Sequence, residues 1–367
     1  MGMTTLSVIK ADTGGYVGHG EVHPEMLDAA TEAVREACDR ALLLDGRVAR
    51  VGDDIALIMT HGHAEEDPGV HEFAWKTFEK TTAVARRLGL YAAGQDLLAD
   101  AFSGNLRGMG PGYCEMQFEE RPSEPVIVFL ADKTEAGAWN YPLTRMFADP
   151  FSSAGLVIDA KMHAGFAFEV LDVVEDRVIT LLCPEDYYDM LMLVGAPSRF
   201  AIRKVYSRTL DAVCATSSTQ RLSHIAGRYV GKDDPVLAVR CQSGLPAVGE
   251  VLEPFAFPFA VAGWMRGSHH GPLMPCAVGD ATPSAFDGPP RVVALGFQIH
   301  GGRLVGPRDM FADVAFDRAR SMALEAAEYL RRHGPFEPHR LPMDELEYTT
   351  MPGLMKELQG RWQSSTA

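Results

Sequence analysis

The stretch T-L-S-V-I-K-A-D-T-G-G-Y-V-G, residues 5–18, decides the fold class. Residues 5–10 alternate as a strand does, Ala11-Asp12 closes the run, and glycines at 14, 15 and 18 supply a turn. His23-Pro24-Glu25 then opens a helix with proline at its first position, and Met26, Ala29, Ala30, Ala33, Val34 and Ala37 recur at helical spacing through Leu44. Strand, glycine loop, helix is the opening unit, and it leaves Asp12 at a strand end.

The unit recurs along the chain. Residues 51–59 read as a strand with Asp53-Asp54 at its start, 70–88 as an amphipathic helix, and 126–131 as a short buried strand running into Asp132-Lys133. Residues 92–112 are glycine-rich and polar, an irregular segment of the kind that carries function. Further β-type runs fall at 166–183, 200–216 and 235–242, a hairpin turns at His300-Gly301-Gly302 within 291–304, and a helix spans 313–333. With no repeat, low-complexity tract or linker, the expectation is a single large α/β (α+β) domain over residues 1–367.

Composition narrows the function. The 367 residues are 47% hydrophobic, enough to bury a core, and 34 Lys and Arg against 49 Asp and Glu leave a net charge of −15. That balance argues against nucleic acid and anionic membrane as partners, so phosphate handling would need metal ions or a few placed cations. The first residues lack a basic flank and an apolar signal region, and a cytoplasmic location is expected. The cysteines form no C-x-x-C pair and are expected as buried thiols.

The acids point to chemistry. Asp12, the Asp53-Asp54 pair, Asp132 and the Asp233-Asp234 pair each lie at or beside a strand boundary, so several strand ends can converge on one site. Carboxylates supplemented by His19 and Gln95 suit Mg²⁺ or Mn²⁺, whereas zinc would call for more Cys and His. So many carboxylates repel unless cations neutralise them, and adjacent Mg²⁺ ions are the usual equipment for displacement at phosphorus. Asp12 is the candidate base. Taken singly, each acid reads as well as a cap or a surface charge. His61-Gly62-His63 reads as structural, and Arg266, in a loop broken by glycine and proline, can grip a phosphate.

In Y-V-G-K-D-D-P, residues 229–235, Lys232 lies against two aspartates. An amine must be unprotonated to attack a ketone, and neighbouring carboxylates oppose that. Metals on Asp233 and Asp234 would cancel their charge but draw the loop toward ligation. One conformation therefore cannot serve both chemistries, and Gly231 gives freedom to switch. Tyr229 is the candidate proton shuttle.

Those residues, with W-M-R-G-S-H-H-G-P-L-M-P at 264–275, F-D-G-P-P-R-V at 286–292, E-Y-T-T-M-P at 347–352, V-G-D-D at 51–54, L-Y-A-A-G-Q-D-L-L at 90–98, F-S-G-N at 102–105 and A-D-K-T at 131–134, closely resemble the archaeal-type (class V) fructose-1,6-bisphosphate aldolase/phosphatase family. The resemblance covers nearly the whole chain. It implies a four-layer α-β-β-α sandwich, a homo-octamer, and gluconeogenic chemistry on sugar and triose phosphates. Dihydroxyacetone phosphate and glyceraldehyde 3-phosphate would condense through a Schiff base, and Mg²⁺-dependent hydrolysis at C1 would give fructose 6-phosphate. It also implies roles. Lys232 carries the Schiff base, Tyr229 is its acid/base partner and Asp12 the phosphatase base. The metal ligands are Asp12, His19, Asp53, Asp54, Gln95, Asp132, Asp233 and Asp234. Substrate contacts are His19, Tyr91, Gly104, Asn105, Lys133, Gln242, Ser243, Arg266, Asp287 and Tyr348. Gly20 and the F-S-S at 151–153 depart from the family pattern at positions with no assigned role. Two other readings fit the residues: a Mg²⁺-dependent sugar phosphatase without aldolase activity, and a non-catalytic oligomer that binds divalent cations.

Overall fold

The structure, a computed structural model, describes residues 2–97, 110–221, 235–263, 269–285, 288–334 and 351–364. Its strands are β1 (Met3–Asp12), β2 (Asp45–Val51), β3 (Asp54–His61), β4 (Gly112–Glu119), β5 (Glu124–Asp132), β6 (Phe166–Asp172), β7 (Arg177–Cys183), β8 (Phe200–Ser207), β9 (Ala212–Ser217), β10 (Gln220–Arg221), β11 (Val236–Arg240), β12 (Ala260–Ala262), β13 (His270–Pro272), β14 (Met274–Pro275), β15 (Arg291–His300) and β16 (Arg303–Asp309). The α-helices are α1 (Pro24–Asp39), α2 (Pro68–Leu88), α3 (Asn140–Ala148), α4 (Gly155–Ile158), α5 (Tyr187–Val194), α6 (Val248–Leu252), α7 (Asp317–Arg332) and α8 (Met351–Leu358).

Two sheets hold most of these strands. One runs β10-β4-β1-β3-β2, and the other β14-β15-β5-β11-β9-β8-β6-β7 with β16 also on β15. Alternation along the strands shows how they stack. On β1, Leu6 and Val8 join the apolar cluster shared with the second sheet, while Ile9 and Ala11 pack with Met26, Ala30, Val70, Ala74 and Phe78 of α1 and α2. On β5, Val126, Val128 and Leu130 face the first sheet. Ile127, Phe129 and Ala131 face a second helical layer with Trp139, Leu143, Phe147 and Phe255. Helices, sheet, sheet, helices is the four-layer α+β sandwich. Burial on both faces explains why β5 is apolar at every position from Val126 to Ala131.

Local differences from the sequence reading have packing causes. The helix over residue 24 onward stops at Asp39, yet Leu43 beyond it still packs into the helix-side core, so the apolar spacing outlasts the helical backbone. The run 51–59 is split: Val51 pairs with Asp54 across a two-residue turn in which Gly52 has φ +53°. α7 begins at Asp317, after a single turn over Val314–Phe316 capped by Asp313. The cysteines are buried apart from half-buried Cys38, and burial pushes the thiols of Cys214, Cys241 and Cys276 up to about 12. No helix among the described residues is long and apolar enough to cross a membrane.

Candidate active site

The gap between the two sheets ends in acids. Asp12 closes β1 directly opposite Asp54, the first residue of β3, and Asp132 closes β5 in the facing sheet. The turn Gly52-Asp53 reaches across that gap. Gly52 N–H donates to Ala281 O at 2.8 Å, and its Cα lies so near Asp132 that a Cβ would stand 2.3 Å from Oδ2. Glycine there serves both the left-handed turn and the close approach.

Lys133 bridges the two sheets. Its Nζ stands 3.1 Å from Asp53 Oδ1 and 3.2 Å from Asp132 Oδ1, on a backbone held at φ +66°. Gly263 packs on the same residue, where a Cβ would lie 2.1 Å from the Lys133 carbonyl oxygen. The glycine loop after β1 brings the imidazole. Gly15 and Tyr91 exchange backbone bonds of 2.9 and 3.1 Å, the His19 ring stands edge-on to Tyr91 at 4.7 Å, and His19 Nδ1 lies 3.0 Å from Asp53 Oδ2.

Charge is crowded here. Burial, then the neighbouring Asp53, Asp54 and Asp96 carboxylates, hold the Asp12 carboxyl well above the usual carboxylate range, with Lys133 opposing. Burial pushes Asp53 the same way, but Lys133 and the His19 hydrogen bond outweigh it and hold Asp53 well below that range. One ligand atom each from Asp12, His19 and Asp53 lie within 4.8 Å of one another, a spacing that fits a divalent cation. Gln95, in the short turn Gln95–Leu97 beside Asp96, keeps a buried amide oxygen with no hydrogen-bond partner among the described residues. Hard oxygen donors, one imidazole and an unsatisfied carbonyl fit Mg²⁺ or Mn²⁺ far better than a soft metal.

Asp12, His19, Asp53, Asp54, Tyr91, Asp132 and Lys133 thus come together, with Gln95 next to them in the turn that docks on Asp12. The positions Gly104, Asn105, Tyr229, Lys232, Asp233, Asp234, Arg266, Asp287 and Tyr348 lie outside the described residues. Gln242 and Ser243 do not join this cluster. β11 runs antiparallel to β5 with Arg240 opposite Val126, so the turn after it lies at the other end of the sheet, roughly 20 Å from Asp132 at ~3.3 Å per residue. Both residues are left-handed, at φ +66° and +55°, and Arg121 bonds the carbonyls of Cys241 and Gln242 at 2.8 and 2.6 Å. Motif matching carries residue types and not places, and strand direction separates these two from the acids.

Two members of the site escaped the sequence reading. Lys10, two residues before Asp12 and therefore on the same face of β1, ion-pairs with Asp54 while only 2% exposed. Asp96 accepts from Asp12 N–H at 2.8 Å and from Gly110 N–H at 2.9 Å. The two-residue period pointed to Lys10; nothing in the local pattern marks Asp96. His61 is structural, as expected. Its Nε2 bonds Ser7 Oγ at 2.7 Å on the helix side, in a buried network with Glu115 and His71.

Comparison with known proteins agrees with the geometry. Residues 3–363 match the family described as fructose-1,6-bisphosphatase. A protein of Moorella thermoacetica named fructose-1,6-bisphosphate aldolase/phosphatase is 63% identical over 358 residues, covering 98% of this chain and 94% of that protein. One of the same name from Methanothermobacter marburgensis is 58% identical over 360 residues, covering 98% and 99%. Another, from Sulfurisphaera tokodaii, is 55% identical over 363 residues, covering 99% and 94%. With likeness of that degree over almost its whole length, the chain belongs to the fructose-1,6-bisphosphate aldolase/phosphatase family.

Proposed function

We propose that this chain is a bifunctional fructose-1,6-bisphosphate aldolase and phosphatase, working as one catalytic domain on sugar and triose phosphates in the cytoplasm. The observation that carries the reading is the meeting of Asp12, Asp53, Asp54 and Asp132 with His19 and Lys133 at the end of the inter-sheet gap. Asp12, His19, Asp53, Asp54, Gln95 and Asp132, joined by Asp233 and Asp234, would hold Mg²⁺. Bound Mg²⁺ supplies charge neutralisation and activates water for hydrolysis at phosphorus.

The side chains do the rest. Asp12 takes the proton of the attacking water. Lys133 and His19 grip the C1 phosphate, and Tyr91 walls the His19 ring. For carbon–carbon bond formation the Lys232 amine condenses with the ketone of dihydroxyacetone phosphate, expelling water. Tyr229 then moves the proton that creates the carbon nucleophile for glyceraldehyde 3-phosphate. Support for one shared pocket comes from Pro235, whose carbonyl accepts from Ala131 N–H at 3.2 Å, one residue from Asp132. At ~3.8 Å per residue, Lys232 is tethered within about 11 Å of Pro235. Gly104, Asn105, Arg266, Asp287 and Tyr348 complete the substrate contacts. Gln242 and Ser243, at the far end of the sheet, do so across an interface between copies in a homo-oligomer, an octamer by the family's pattern.

Borohydride reduction in the presence of dihydroxyacetone phosphate, followed by peptide mass analysis, should place a covalent adduct on Lys232; an unmodified Lys232 sinks the aldolase half. Phosphate release from fructose 1,6-bisphosphate should require Mg²⁺, and release that survives chelation removes the phosphatase mechanism.

A further inference from the structure

The pairing of β1 with β4 stops short of the site. Its register runs from Met3 opposite Glu119 to Lys10 opposite Gly112, so the next rungs would set Ala11 against Pro111 and Asp12 against Gly110. Pro111 has no N–H to give. At the following rung the two backbone donors do not meet carbonyls across the ladder. Asp12 N–H donates to Asp96 Oδ2 at 2.8 Å, and Gly110 N–H donates to Asp96 Oδ1 at 2.9 Å. One carboxylate, only 3% exposed, takes the place of a ladder rung.

We infer that Asp96 is a positioning residue for the cation cluster: its carboxylate forks β1 from β4 and so sets the direction in which Asp12 leaves the sheet. The carboxylate offers one oxygen to each of the two facing N–H groups, whereas an amide offers one oxygen and turns its own donors on the other N–H. The fork is held from the other side as well. Gly94 N–H donates to Thr13 O at 3.0 Å, and Gly14 N–H donates to Asp12 Oδ1 at 2.9 Å, so both the backbone and one oxygen of Asp12 are fixed. Asp96 itself needs no contact with a cation or substrate to do this. It acts through Asp12.

The inference rests on the metal reading above, and its test separates the two. Mn²⁺ binding to chelator-treated protein is measured calorimetrically for the wild type, Asp96→Asn and Asp96→Glu, alongside unfolding without metal and site-resolved amide exchange at Asp12 and Gly110. Asp96→Asn should weaken Mn²⁺ binding at least tenfold, shift the metal-free unfolding midpoint by no more than a few degrees, and speed exchange at one of the two amides. Asp96→Glu, which keeps both acceptors, should recover much of the affinity. Mn²⁺ affinity in Asp96→Asn within twofold of the wild type, or a loss matched by a general loss of stability, overturns the inference. Should Asp96→Asn fail to fold, Asp96→Ala takes its place in the same three measurements, and the same outcomes support or overturn the fork. A wild type that binds no Mn²⁺ overturns the metal reading instead, and the exchange rates at Asp12 and Gly110 then decide whether the carboxylate holds the fork.

Discussion

Replacing Gly52 by alanine tests how closely the two sheets must approach. The added Cβ would stand 2.3 Å from Asp132 Oδ2 and 2.6 Å from its Cγ, so the carboxylate must retreat about 1 Å to reach ordinary contact near 3.4 Å. It has little room to do so, being fully buried and ion-paired to Lys133 at 3.2 Å. Alanine at φ +53° adds about 1 to 2 kcal/mol of backbone strain, offset in part by ~0.4–1 kcal/mol from a less flexible unfolded chain. These backbone effects together should therefore lower stability by about 0 to 1.6 kcal/mol. The effect on chemistry is larger, because displacing a site group by ~1 Å can cost about 100-fold in rate, equivalent to roughly 2.7 kcal/mol. Phosphate release from fructose 1,6-bisphosphate at saturating Mg²⁺ should drop about 100-fold in a protein that still unfolds cooperatively. Release within threefold of the wild type would show that Gly52 and Asp132 need not touch, and the two-sheet construction of the site would be wrong.

Two further outcomes follow from buried charge away from that cluster. Glu124 is fully buried and accepts from Arg240 at 2.9 and 2.7 Å and from Arg121 Nε at 2.9 Å, so Glu124→Gln strands guanidinium charge between the sheets and should destabilise by about 3 to 5 kcal/mol in urea unfolding. A loss below 1 kcal/mol would mean that this pair does not hold the sheets together. Burial lowers the His61 pKa from its ordinary value near 6.5, so the unfolded chain binds the proton more readily, and stability present above that pH is lost as pH falls below it. The urea midpoint of the wild type should therefore drop between pH 7 and pH 5 more steeply than that of His61→Gln, and equal slopes would remove His61 from the acid response.

The layers were legible in the sequence because period two and period 3.6 are both written into the apolar residues. Thr5 to Lys10 alternates, and Met26, Ala30, Ala33, Val34 and Ala37 turn one face of α1 to the core. What periodicity cannot carry is where an element ends. Leu43 packs into the same core as α1 from beyond the helix, and Gly52-Asp53 turns the chain inside what reads as one strand. The acids at strand ends were legible for a related reason. A strand end is where a buried ladder opens to solvent, and Asp12, Asp54 and Asp132 sit there in an otherwise apolar context. Asp96 was not, since its partners are backbone N–H groups 84 and 14 residues away and no spacing rule reaches them. The separation of Gln242 and Ser243 from the acids was equally hidden, because it follows from the direction in which β11 runs along β5.

The lysines show why a motif alone understates this site. Lys133 was expected from A-D-K-T, and Lys10 was passed over as one polar residue in an alternating strand. In the folded chain they split the neutralisation of the acids between them, Lys10 on Asp54 and Lys133 on Asp53 and Asp132. Their surroundings differ. Lys10 is 2% exposed within the sheet, so parting it from Asp54 would be costly. Lys133 is 16% exposed on a left-handed backbone at the mouth of the gap, where water or an entering anion can replace its carboxylates. Of the two, Lys133 is placed where its partners can be exchanged, and Lys10 is enclosed with Asp54 inside the sheet.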